Sequence, residues 1–145
     1  MLSQRARYAL KAMLALAEAD IDKPLMIGAI AKRQHIPAKF LALILLELKR
    51  FGLVQSRRGR QGGYLLGRPP ADISFADIIR ETDGPLALSP CVSVTAYHKC
   101  DDCTDEETCA IRKVLLAARD ATAAVLESRT LASALTPTRR TRRAS

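Results

Sequence analysis

No apolar run in the 145-residue chain approaches the roughly 20 residues that a membrane span requires, and the start, MLSQRARYAL, lacks a leader's apolar stretch and small-residue cleavage site. A cytoplasmic location without a membrane partner is the expectation. Histidine is scarce, His35 and His98 being the two present. With no nucleophile-elbow sequence and no phosphate-cradling glycine loop, that scarcity points away from an enzyme. No internal repeat is visible, and cysteine is missing from every apolar run. All four cysteines fall in one polar segment, CVSVTAYHKCDDCTDEETC, from Cys91 to Cys109. In a reducing compartment such a cluster points to a metal or redox site and not to structural disulfides.

At 48% hydrophobic, the chain can bury the core of one ordinary domain. Its net charge of +8 is unevenly spread. Residues 1–70 hold 13 Lys and Arg against 4 Asp and Glu, whereas residues 71–136 hold 6 against 11 and the last nine add four arginines. A basic front half implies that nucleic acid is met by the first seventy residues.

Ser3 caps a first helix whose apolar positions Ala6, Leu10, Met13, Leu14 and Ala17 recur at helical spacing, ending near Ala19. A short second helix runs from Leu25 to about Arg33, and a tight corner follows at Gln34, His35 and Ile36. Pro37 suits the first position of a third helix reaching Phe51. That helix is so apolar that most of its circumference needs covering, leaving Ala38, Lys39, Ala42, Lys49 and Arg50 open. Gly52 caps it; Leu53 to Gln55 and Tyr64 to Leu66 read as paired strands around the tip Arg57, Arg58, Gly59, Arg60, Gln61, Gly62 and Gly63. Short helix, corner, helix and basic-tipped hairpin is the order of a winged helix-turn-helix, which places its second corner helix in the major groove of double-stranded DNA.

Ser74 caps a short helix to about Thr82, and Asp83, Gly84 and Pro85 stop it. After the cysteine segment, a long helix starts at Thr108 or Cys109 and runs to about Leu131. Its stripe Ile111, Leu115, Ala118, Thr122 and Val125, with Val114, Ala121 and Leu126 beside it, suits a partner helix or its own domain. Because two-fold dimers read operator half-sites, a homodimer through this helix is the expectation. The fold class is thus mainly α with a small β-hairpin wing: a winged helix-turn-helix domain (1–84), a cysteine-bearing sensor loop (85–108), a dimerisation helix (109–132) and a basic disordered tail (133–145).

LSQRARYALKAM, IAKRQHIPAKFLALILLELKRFGLVQSRRGRQGGYLL and the cysteine loop before a long helix together resemble the Rrf-two family of bacterial repressors over about residues 1–130. The resemblance implies DNA contacts by Lys39 and Phe40, beside Ala38, in the recognition helix. It also implies wing contacts by Arg58, Gly59, Gly62, Gly63 and Tyr64, alongside the tip arginines Arg57 and Arg60. One iron-sulfur member has Glu-Gln where this chain has Ala42 and Leu43, so its base readout does not carry over.

Cluster-binding relatives use three cysteines at comparable places, which implies an iron-sulfur cluster here, either [2Fe-2S] or [4Fe-4S]. This spacing, Cys91-x8-Cys100-x2-Cys103-x5-Cys109, matches in its last part but has a stretched first gap and an extra cysteine. Three ligand sets stay open: all four cysteines, ranked first; Cys91, Cys103 and Cys109; or three cysteines with His98. Zinc, a thiol switch through Cys100 and Cys103, and a metal-free regulator answering to a protein partner are the alternatives.

Overall fold

The computed structural model describes residues 1–136 in the order α1 (Gln4–Glu18), α2 (Ile27–Gln34), α3 (Ala38–Arg50), β1 (Val54–Arg57), β2 (Gly63–Leu66), α4 (Phe75–Asp83), α5 (Ala110–Ser128) and α6 (Leu131–Leu135). α1 starts where the Ser3 hydroxyl accepts from the Ala6 N–H at 3.0 Å, as the sequence predicts. Its buried face is Ala6, Ala9, Ala12, Met13, Ala15 and Leu16. Alanines dominate that face, and small side chains let neighbouring backbones come close. α2, α3, α4 and α6 all pack on α1.

The corner between α2 and α3 is made by backbone geometry. His35 takes the left-handed conformation (φ 54°, ψ 48°), and the Ile36 N–H donates to the Ala31 carbonyl at 2.9 Å while its side chain enters the core. Pro37 stands one place earlier than expected, as the residue that caps α3 and not its first member. Leu25 also departs from expectation: it is not helical but pairs with Tyr64 through backbone bonds of 2.9 and 2.8 Å. A two-stranded hairpin alone is marginal, and this bridge gives it a third edge. Gly63 makes the approach possible, since a Cβ there would sit 2.4 Å from the Leu25 carbonyl oxygen.

α3 corrects the expectation that most of its circumference would be covered. Leu41, Ile44, Leu45 and Leu48 enter the core, but Phe40, Leu43 and Leu46 remain exposed, because α1, α2, α4 and β1 reach only one side of it. α4 carries a capping box between Ser74 and Asp77 and packs on α1.

α5 ends at Ser128, short of Leu131. The chain then extends, with the Phe75 N–H donating to the Arg129 carbonyl at 2.9 Å and the Leu131 N–H donating to the Ile73 carbonyl at 3.0 Å. Thr130 and Ser133 form a second capping box, and Leu131 is fully buried on the core. Residues 133–135, expected as the start of the tail, therefore lie in α6, and 137–145 lie outside the described residues. Among the described residues no helix is long and apolar enough to cross a membrane. Replacing Leu131 by alanine empties a fully buried site and lowers stability by about 2–5 kcal/mol, read from urea unfolding.

Candidate nucleic-acid interface and metal centre

The exposed side of α3 follows from the burial of the other. Ala38, Lys39 and Phe40 stand in its first turn, followed by Ala42, Leu43, Leu46, Lys49 and Arg50. Phe40 meets Tyr8 edge to face at 5.7 Å between ring centres, so part of it is held by α1. Lys49 donates from Nζ to the Ser56 hydroxyl at 2.8 Å, which ties the far end of α3 to the hairpin.

β1 and β2 pair antiparallel from Val54 with Leu66 to Arg57 with Gly63. Arg57, Arg58 and Arg60 are exposed at the tip and have no ion-pair partner among the described residues. Gly59 has a φ of +104°, and a Cβ on Gly62 would strike the Arg57 carbonyl at 2.3 Å, so the tip's tight path requires both glycines. Tyr64 differs from the rest of the expected wing set: its ring packs against the core. The arrangement presents unpaired cations beside an exposed helix, a surface suited to phosphate contact around a groove.

The second site lies at the start of α5. Cys91, Cys100, Cys103 and Cys109 all line one cavity of about 440 Å³, with Ser89 and Arg112 in its wall. Cys91 is buried in a single turn of 3-10 helix (Pro90–Val92), and the other three are half-buried. Ser89 Oγ lies 3.4 Å from Cys91 Sγ and 3.8 Å from Cys100 Sγ. Cys109 caps α5, its sulfur accepting the Arg112 N–H at 3.4 Å. His98 is outside the cavity lining; its ring faces Asp101 at 3.6 Å in an exposed pair.

The Cys100 thiol is raised above its ordinary value. The Ser89 hydrogen bond pulls it down, but the hydrogen bond with Cys91, loss of water and the negative charge of Cys91 and Asp102 outweigh that pull. Tyr97 donates to Glu106 at 2.6 Å, and that bond raises its phenol. Arg112 Nε is buried without a hydrogen-bond partner among the described residues, a donor that an anionic group in the cavity would satisfy. Four thiols around one cavity fit an iron-sulfur cluster by donor chemistry. Among the described residues no three His, Cys, Asp or Glu side chains converge on a single ion position. Arg112 escaped the sequence reading although it stands one helical turn after Cys109; Ser89 carried no signal in the sequence.

A family model described as Rrf2, an iron-dependent transcriptional regulator, matches residues 2–137. The chain belongs to the Rrf2 family. It is a transcriptional regulator and not an enzyme. An rrf2-like putative regulator of Rhodobacter capsulatus is 51% identical over 79% of this chain and 78% of its own. Among solved structures, CymR, the global cysteine regulator of B. subtilis, matches with a TM-score of 0.77 at 31% identity, covering 92% of this chain and 95% of that one. IscR of T. potens matches with a TM-score of 0.75 at 29% identity, covering 100% and 93%.

In this Rrf2 regulator α5 touches α4 and the Cys91 turn but buries no residue fully. Leu115, Ala118 and Leu126 are partly covered by the chain itself, so the open apolar stripe is Ile111, Val114, Ala121 and Val125. Arg119 fastens α5 to the sulfur site by donating from Nη1 to the Val92 carbonyl at 2.7 Å. A hydrogen bond from a charged group contributes about 1.5–3 kcal/mol. Replacing Arg119 by methionine therefore speeds amide exchange at Val92 and Ser93 about tenfold or more, measured by hydrogen–deuterium exchange, with little change in α1.

Proposed function

We propose that this Rrf2 regulator is a cytoplasmic homodimeric repressor that binds double-stranded DNA through α3 and the hairpin wing. Its affinity for an operator is set by an iron-sulfur cluster on Cys91, Cys100, Cys103 and Cys109. The observation that carries the reading is that all four cysteines line one cavity at the start of α5. When bound, the cluster supplies redox chemistry that responds to oxidants, iron supply or nitric oxide. Arg112 supports an anionic occupant, and the family description, iron-dependent, agrees with it.

The DNA half of the reading is supported by the exposed start of α3 and the unpaired Arg57, Arg58 and Arg60, and the dimer by the open stripe on α5. Those parts are mechanically joined. Arg119 ties the Cys91 turn to α5, the Arg80–Glu127 pair at 2.5 Å ties α4 to α5, and the Phe75–Arg129 bond ties the end of α5 to the wing domain. A change at the sulfur loop thus biases how two recognition helices are spaced.

A second reading is favoured by Ser89, which brings the Cys91 and Cys100 sulfurs together: a thiol switch through that pair. Anaerobic purification with iron, sulfide and zinc analysis separates the two. A coloured protein containing iron and acid-labile sulfide is expected, and Cys109→Ser should remove both while the circular dichroism stays unchanged. Colourless protein without iron, forming a Cys91–Cys100 disulfide on oxidation, sinks the cluster and supports the switch. For DNA, Arg58→Ala should weaken binding and reduce the salt slope by about one. Unchanged affinity and slope would remove the wing from the interface.

A further inference from the structure

The exposed face of α3 has an unusual division of polarity. Lys39 stands near its beginning, Lys49 and Arg50 at its end, and Ala42, Leu43 and Leu46 between them, with Leu43 67% and Leu46 48% exposed. From Ala38 to Leu46 the sole exposed side chain able to form a hydrogen bond is Lys39. Glu47, next along the helix, is tied to Arg5, and Lys49 to Ser56. No Asn, Gln, Ser, Thr or Arg stands between Ala38 and Leu46 to read a base edge by paired hydrogen bonds.

An exposed apolar stripe lacks a compensating interaction with water, and its surroundings define what covers it. Cations bracket it at both ends, and the Arg57, Arg58 and Arg60 tip lies beyond. The span from Lys39 to Arg50 is about 16 Å along the axis, enough for its ends to approach both walls of a major groove about 12 Å wide. The cations then meet phosphates, and the apolar centre meets the groove floor. The group on that floor that rewards an aliphatic side chain is the 5-methyl of thymine.

We infer that α3 reads its operator through thymine methyl groups, with Leu43, assisted by Ala42 and Leu46, as the specificity-determining contact. The inference rests on the DNA-binding reading above and specifies its chemistry. Discrimination comes from burial of methyl surface, and Lys39 and the wing supply affinity that is indifferent to sequence.

The test uses full-length protein purified without oxygen and a duplex selected by it from a random pool. That duplex is remade with deoxyuridine replacing one thymidine at a time, and binding is measured by fluorescence anisotropy. Each methyl covered by α3 should be worth about fourfold in affinity. Leu43→Gln should bring the thymine-to-uracil ratio to about one at that position while leaving the thermal melt intact. Equal affinity for the thymine and uracil duplexes overturns the inference but leaves DNA binding standing. A protein that binds no duplex at any salt concentration removes the DNA reading and the inference together.

Discussion

α5 cannot bury itself. None of its nineteen residues is fully buried among the described residues, so its position depends on a few polar ties and one return crossing. Arg119 reaches the Val92 carbonyl, Arg80 pairs with Glu127, and the strand-like Arg129–Leu131 segment bonds to Ile73 and Phe75. Each tie is worth little beside a hydrophobic core. Leu131, fully buried, anchors the chain just beyond the far end of α5. The sulfur loop sits at the opposite end. That placement puts the sulfur loop between the wing domain and the exposed stripe of α5.

The same economy governs the wing unit. α1 spends its buried face on alanines, so α2, α3, α4 and α6 all approach one helix closely, and little apolar surface is left to cover the far side of α3. Phe40, Leu43 and Leu46 are exposed for that reason. Local backbone features aim the exposed side: the left-handed His35, the cap at Pro37, and a hairpin held at its edge by Leu25. Gly63 permits that edge contact, since any side chain there would meet the Leu25 backbone.

Much of this was legible in the residues. Ser3 and Ser74 marked helix starts by capping chemistry, Gly59 and Gly62 marked a tight tip, and Cys91 to Cys109 marked a candidate site by confining every cysteine to a polar stretch. These are local signals, and local chemistry decided them. The apolar content of α3 misled for the converse reason. Hydrophobicity states what a side chain would gain by burial, not whether a neighbour is there to bury it. Leu25 misled likewise, because its apolar company matched a helix while its partner, Tyr64, lies far along the chain.

The order helix, corner, helix and wing, the division of charge and the concentration of thiols were determined by the sequence alone, because they depend on neighbours a few residues apart. Tertiary structure alone decided which sulfurs share a wall with Arg112, that His98 stays outside that wall, that α5 turns back at Ser128 to bury Leu131, and that Leu43 faces outward. Each of those depends on contacts across long sequence separations, where geometry and not composition chooses the partner.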